Sequence, residues 1–290
     1  MKVARSVTGL CLLFLLLFSI ETNFSSCQKQ IITDTLRIRD TIRITDTVHV
    51  TDSSTCNCYD LKDGLVAYYN FNGGNLNDSS GYNNNITFNN ATKTADRYGR
   101  ANNAYLFDGT DNAYMKVANS ASLNPTSSIT LMATFKINGF NASTCPNNQV
   151  FGKGWNDYIN GFYSMRFFSL PGCNVAVDTA KEAFNSNYGD LNTRNSIVLN
   201  DNANNYAHSN IWYTVVYTYG NGQSNLYVNG VLKSTINQTA AFTPNTQELY
   251  IGKHGDPQYP YNFKGVIDEI RIYNKALCAN AVKQLTNLKD

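Results

Sequence analysis

The chain has 290 residues, 42% of them apolar and only 15% charged, with a formal net charge of +2. That length and apolar share support one good-sized core with an appendage. The near-neutral balance excludes the basic field of a nucleic-acid binder and any acidic tail. Asn, Ser, Thr, Gly and Tyr stand where charges are usual, a composition that suits an extracytoplasmic β-protein and a surface that meets sugars.

At the N-terminus, Lys2 and Arg5 flank the start of an apolar stretch from Val7 to Ile20. It is short for a membrane span and right for the h-region of an export signal. ETNFSSC follows, and its small residues before Cys27 resemble a bacterial lipobox. Residues 1–26 are therefore expected to be a signal peptide and Cys27 the lipidated residue. Phe24 stands where Leu is usual and Glu21 to Asn23 separate the h-region from the site, so plain secretion is the alternative.

Residues 34–52 read DTLRIRDTIRITDTVHVTD, a unit D-T-φ-x-φ-x repeated with period six. Leu36, Ile38, Ile42, Ile44, Val48 and Val50 alternate, which is a strand signal and not a helix signal. Asp34, Asp40, Asp46 and Asp52 share their face and prevent a continuous apolar edge. Residues 28–58 are expected to form an extended stalk, the repeat alone spanning about 60 Å. Its Asp-Thr-aliphatic triplets also resemble an acceptor motif for O-glycosylation of exported bacterial proteins, which implies Thr35, Thr41 and Thr47 as acceptors.

Cys11 leaves with the signal, and Cys56, Cys58, Cys145, Cys173 and Cys278 remain besides Cys27. An exported chain permits disulfides, and five thiols leave one over. Cys56-Asn57-Cys58 is too tight for a comfortable mutual bridge and lacks the spacing of a zinc site.

Residues 62–290 read as short β-like runs, among them GLVAYYNF, SITLMATFKI, IWYTVVYTY, SNLYVNG and FKGVIDEIRIY. Asn72-Gly73-Gly74, Asp108-Gly109, Asn138-Gly139, Asn221-Gly222 and Asn229-Gly230 punctuate them with turns of positive φ. Many strands at close turn spacing imply a sandwich or barrel. One helix is expected near the end, where ANAVKQLTNL places Ala281, Val282, Leu285 and Leu288 on one stripe.

From about Leu65 to Leu288 the chain resembles the laminin G-like, concanavalin A-like jelly-roll family in its bacterial form. LVAYYNFNGGNLNDSSGYNNN resembles the family's opening strand and Asp-x-Ser-Gly turn, and RANNAYLFDGTDNAYMKV its Ala-x-x-Phe-Asp-Gly strand pair. SSITLMATFKI is similar to the central strand, with Thr134-Phe135 where a Trp is common. IWYTVVYTY with SNLYVNGVL is similar to the hairpin that follows, Asn229 replacing an Asp, and FKGVIDEIRIYNKAL to the closing strand. The resemblance implies an all-β fold, an antiparallel two-sheet jelly-roll sandwich with a short C-terminal helix. It implies binding of carbohydrate, protein or calcium more than catalysis. First and last strands of such a sandwich are neighbours, which implies a bridge from Cys56 or Cys58, with Cys58 preferred, to Cys278. The other pairing expected is Cys145 with Cys173.

The same resemblance implies one structural calcium between Asp78 and Asp268, completed by carbonyls around Gly81 to Asn84, with Asp108 a weaker candidate. The competing reading is that Asp78 only caps its turn and Asp268 only pairs with Lys264 or Arg271. Glu269 is then a solvated bystander. Hydrolases of this fold carry Glu-x-Asp-x-x-Glu on one strand, with the first two acids on one face. Asp268 and Glu269 are adjacent, so a regular strand separates them and only a bulge would bring them together. His49, His208 and His254 are scattered and read as surface residues, and no Gly-x-Ser-x-Gly or His-Glu-x-x-His occurs. No catalytic residue is expected.

Sugar sites combine aromatic platforms with hydrogen-bonding loops. The Asn-rich connections supply Trp155 and Tyr158, Tyr188, Tyr206, and Tyr259 with Tyr261 as candidates, Trp155 foremost. Trp212 is expected to be buried, and Tyr217, Tyr227, Tyr250 and Tyr273 to be packing residues. The function expected is that of a noncatalytic, exported module binding a glycan or glycoprotein at the outer membrane or cell envelope. It would meet the membrane through the N-terminal lipid only. A protein-adhesion or structural module is the alternative, and a divergent glycoside hydrolase the third reading.

Overall fold

The alternating runs between Asn, Asp and Gly turns pair antiparallel into two sheets. The structure is a computed structural model. It describes residues 60–139, 147–154, 162–169, 182–189, 209–237, 242–259 and 261–288, with the backbone alone along 182–189 and at 147, 162, 168 and 169. The larger sheet runs β12 (Val231–Asn237), β11 (Gln223–Val228), β10 (Trp212–Gly220), β6 (Ile129–Ile137), β14 (Lys264–Tyr273), β4 (Ala104–Asp108) and β3 (Thr92–Thr94). Its eighth strand, β1 (Leu65–Tyr69), pairs with β14 outside that order. The smaller sheet runs β2 (Ile86–Asn89), β5 (Met115–Val117), β13 (Leu249–Ile251), β7 (Asn147–Lys153), β8 (Phe162–Ser169) and β9 (Glu182–Gly189). One helix, α1 (Ala279–Thr286), follows β14. This is the two-sheet sandwich with a short terminal helix that the sequence predicts.

The core lies between the sheets. Leu131, Ala133 and Phe135 of β6 and Ile267, Ile270 and Ile272 of β14 share one cluster with Met115, Val117, Leu249, Ile251, Tyr163, Met165 and Phe167 of the smaller sheet. Each fully buried side chain of this size contributes about 1.5–3 kcal/mol. Phe263 ties the layers by edge-on contacts to Phe135 of the larger sheet and Phe167 of the smaller, at centroid distances of 5.9 and 6.0 Å. A second cluster sits on the outer face of the larger sheet. There Ala281, Val282 and Leu285 of α1 cover Met132, Val216, Tyr227 and Tyr273.

Asn221-Gly222 and Asn229-Gly230 turn as expected, all four residues having positive φ between 50° and 77°. The Asn229 side-chain carbonyl also accepts from the Thr214 N–H at 2.9 Å, which fixes that hairpin to β10. Gly139 differs from expectation and has no positive φ. The Asn138 N–H instead donates to the Lys264 carbonyl at 2.9 Å, so this connection is held by β14 and not by a tight turn.

β14 carries the irregularity that matters for function. Its first half pairs with β4, from Lys264–Asp108 to Ile267–Tyr105, and its second half with β1, from Ile270–Tyr69 to Tyr273–Leu65. Along its other edge, Ile267 pairs with Phe135 and Glu269 with Thr134 of β6, so Asp268 is an extra residue. A bulge therefore stands at the point where β14 changes partner, and it shifts the alternation by one.

Gly252 is the tightest backbone approach in the core. It has φ of +84°, and a Cβ there would strike the Phe107 ring. Gly252→Ala is expected to lower the urea-unfolding free energy by about 2–4 kcal/mol through backbone strain and overpacking.

Candidate functional site

The bulge decides what the acids at 268 and 269 do. Because Asp268 is the extra residue, Ile267 and Ile270 both keep to the core side and both acids turn to the outer face. Arg97 Nη1 donates to Asp268 Oδ2 at 3.0 Å and to Glu269 Oε2 at 3.3 Å. Arg271 Nε donates to Glu269 Oε1 at 2.5 Å, and its guanidinium lies 3.9 Å from the Tyr68 ring centroid. Glu269 is 2% exposed, so the expectation of a solvated bystander is corrected. The partner of Asp268 is Arg97, in place of the Lys264 or Arg271 expected.

Arg97 is presented by a tight loop. Asp96 accepts from the Tyr98 and Arg100 N–H groups and from Arg100 Nε, and Gly99 turns at φ of +78°. Burial disfavours the charge on Arg97, but Tyr98, Asp268 and Glu269 raise its pKa further still. Burial pushes the Asp268 carboxyl up to about 6 in spite of Arg97. The cluster is a closed ion network under the 96–100 loop. Neither carboxyl is open to a glycosidic bond.

The three carboxylates expected around calcium are engaged separately. Asp78 accepts from the Tyr68, Ser80 and Asn84 N–H groups and from the Ser80 hydroxyl, at 2.8–3.0 Å. Asp108 accepts from the Thr110 N–H and hydroxyl at 2.8 and 2.7 Å, which lowers its pKa. The N–H groups that already face these oxygens present their positive ends to an incoming cation. As arranged here, these residues do not fit a shared calcium ion. Among the described residues, no three His, Cys, Asp or Glu side chains gather as a metal set.

Aromatic side chains gather on the solvent side of the smaller sheet. Met115, Val117, Leu249 and Ile251 point into the core, so Lys116 and Tyr250 point outward. Phe88 packs on Tyr114 at 4.7 Å and Tyr114 on Tyr250 at 6.2 Å. Lys253 Nζ sits 4.5 Å from the Tyr114 ring centroid and donates to the Asp111 carbonyl. The Asp111 carboxylate accepts from Asn262 Nδ2 at 2.5 Å. Beside Asn262, Tyr261 stacks on Tyr259 at 6.1 Å, and Tyr259 is 45% exposed. Glu248 accepts from Lys116 and from the Tyr250 hydroxyl, and burial together with Glu248 pushes that phenol up to about 12. It therefore remains a neutral donor.

The structure thus joins two expected residues, Tyr259 and Tyr261, to a strip the sequence reading missed. Tyr250 is half-buried at the outer surface and not a core residue, whereas Tyr217, Tyr227 and Tyr273 are buried as expected. Trp212 is also half-buried, facing outward beneath Lys136, because Tyr213 beside it takes the core position. His254, expected at the surface, is 2% exposed and packs against Tyr261 at 5.3 Å. Tyr188 lies on β9 opposite Tyr163. Trp155, Tyr158, Tyr206, His49, His208, Cys27, Cys56, Cys58, Cys145, Cys173, Thr35, Thr41 and Thr47 lie outside the described residues. Cys278 is an exposed free thiol at the start of α1.

On the opposite side of the sandwich, a groove of about 550 Å³ adjoins the ion network. Tyr68, Arg271, Ser79, Ser80, Gln284 and Leu288 are among the residues lining it.

Removing Arg97 leaves two buried carboxylates short of a partner, so Arg97→Met is expected to cost about 3–5 kcal/mol in urea unfolding. Folded Asp268 holds a proton between pH 3.8 and about 6 that the unfolded chain has released. Its contribution is fully present below the unfolded value and is lost as pH rises through about 6. Measured against Asp268→Asn, wild-type stability should therefore fall by about 2–3 kcal/mol from acid to neutral pH. Chelator in metal-free buffer is expected to leave the melting temperature unchanged, and a drop would restore the calcium expectation.

The family model described as the concanavalin A-like lectin/glucanases superfamily, Laminin_G_3, matches residues 108–283, more than half of the chain. No curated protein matches. Among solved structures, the binding domain of Paraclostridial Mosquitocidal Protein 1 is similar at 18% identity and TM-score 0.60, over 78% of this chain and 52% of that one. A botulinum neurotoxin type C structure, whose cell entry is described as dependent upon interaction with two ganglioside molecules, is similar at 17% identity and TM-score 0.56, over 78% and 51%. Domain 4 of AbnA, a GH43 extracellular arabinanase from Geobacillus stearothermophilus in complex with arabinotriose, is similar at 19% identity and TM-score 0.52, over 77% and 98%. The chain spans about half the length of the toxin domains it matches, and at these identities the likeness shows the fold. With the sandwich, the closing strand and the family match together, the chain belongs to the concanavalin A-like lectin/glucanase superfamily, in its laminin G branch.

Proposed function

We propose that this protein is a noncatalytic binding module whose ligand is a glycan or the glycan of a glycoprotein. One observation carries the reading. Tyr259 and Tyr261 join the Phe88–Tyr114–Tyr250 strip through Lys253, Asp111 and Asn262, so ring faces alternate with amide, carboxylate and ammonium groups on one open surface. Sugars are bound by that combination of apolar platform and fixed polar groups. The sealed acid pair supports binding over hydrolysis, since both carboxyls already face guanidinium groups. Structural neighbours named for ganglioside interaction and for an arabinotriose complex lend the same direction. With this reading goes the exported placement expected from the sequence, with Cys27 as lipid anchor and residues 28–58 as stalk.

A protein-adhesion reading is favoured by exposed apolar side chains, Ile211 before β10 and Val231 and Leu232 at the start of β12, which are 46%, 56% and 50% exposed.

The test is a glycan array that includes arabinotriose and ganglioside oligosaccharides, probed with the processed chain and with Tyr259→Ala and Tyr114→Ala. Binding is expected, with about tenfold weaker affinity in each variant at unchanged melting temperature. Silence across the array, or affinity indifferent to both variants, would favour the protein-adhesion reading.

A further inference from the structure

Lys153 closes β7 on its core side, paired across the sheet with Leu249 and Tyr163, and its side chain is 0% exposed. Its ammonium meets three oxygens: Asn124 Oδ1 at 3.0 Å, the Asn245 carbonyl at 3.0 Å and Asn245 Oδ1 at 2.8 Å. All three are uncharged. A buried charge without an opposite charge is costly unless dipoles converge on it, and here they do. Asn124 is held in place by its own amide, which donates to Asn119 Oδ1 and to the Ser120 carbonyl. Amide and carbonyl oxygens around one positive centre are the donor set of a hard metal ion.

We propose that Lys153 is a tethered cation: its ammonium fills an oxygen cage built by Asn124 and Asn245 and so positions Glu248 beside the aromatic strip. The connections run from the cage outward. The Asn245 N–H donates to Asn124 Oδ1 and the Gln247 N–H to Asn245 Oδ1, so the cage atoms also shape the segment that leads to Glu248. The Gly154 N–H, next to Lys153, donates to the Glu248 carbonyl at 3.1 Å. The Glu248 carboxylate then holds Lys116 at 3.0 and 3.1 Å and the Tyr250 hydroxyl at 3.0 Å. Lys153 touches none of the strip itself and is a positioning residue. Burial lowers its pKa to about 8, in keeping with a charge held, among the described residues, by dipoles alone.

Chemical rescue tests this in the full chain. Lys153→Ala should melt lower than wild type, and propylammonium should restore the melting temperature by about 3 °C or more. Tetramethylammonium, too large for the cage, should restore nothing at equal ionic strength. Lys153→Met, which fills the space without charge, should remain destabilised and unresponsive to either salt. In wild type, which needs no variant to fold, nitrogen-edited NMR should show a slowly exchanging lysine ammonium signal that Lys153→Met removes. Equal rescue by both salts, a Lys153→Met chain as stable as wild type, or absence of the protected signal would each overturn the proposal. The last step rests on the glycan-binding reading: Lys153→Met should weaken a glycan found on the array as Glu248→Gln does, at a temperature where both are folded. The ammonium measurements stand or fall without it.

Discussion

Everything on the outer face of the larger sheet depends on β14 having to serve two partners along one edge. β4 and β1 follow one another along that edge, and at the changeover, between the Ile267–Tyr105 and Ile270–Tyr69 pairs, Asp268 bulges out of the pairing with β6. That bulge puts two carboxylates side by side on a surface that α1 and the 96–100 loop cover. Two adjacent buried acids then require cations. Arg97 arrives from one side and Arg271 from the strand itself, and Arg271 in turn lies on Tyr68 of the neighbouring strand. What looks locally like a catalytic pair is the electrostatic closure of a topological joint.

Charged residues are scarce in this chain, yet several are placed inside it. Asp96, Asp268, Glu269, Arg271 and Lys153 are all 5% exposed or less. Each is met by an opposite charge, by N–H groups or by an oxygen cage. The protein therefore uses fixed charge to lock loops to strands and leaves much of its surface to hydroxyls, amides and rings. An uncharged, hydrogen-bonding surface with aromatic faces discriminates among polyhydroxylated ligands better than among ions. Composition and interior thus bear on the same functional reading.

Much of the fold was legible because alternation, Asn-Gly turns and the terminal helical stripe each report local physics. The bulge was not legible, because Val266, Ile270 and Ile272 keep a period of two in the sequence, and only the folded pairing puts Ile267 into the core. The partner of the acids was not legible. Arg97 lies 171 residues from Asp268, and its role exists only after β3, β4 and β14 are side by side. Tyr250 shows a third limit. The run ELYIGK sets Leu249 and Ile251 against Tyr250, but alternation alone does not say which face is covered. Lys153, written as the polar end of QVFGKG, gave no hint of burial, because the cage that accepts it comes from two distant Asn residues.

The way the chain enters the sandwich also sets its response to mechanical load. Tension on the segment upstream of residue 60 passes first into β1, which among the described strands pairs with β14 alone. Around that short strand the holds are spread along its length. Lys275 reaches Asp63, the Asn274 N–H donates to the Gly64 carbonyl, and Asp78 takes the Tyr68 N–H at the far end. A pull along β1 would load these bonds in parallel and not in succession, which is the arrangement that resists peeling. For a module tethered by that end and gripping a ligand on its other sheet, the β1–β14 seam would be the mechanical fuse, and its strength would set the force the grip can bear.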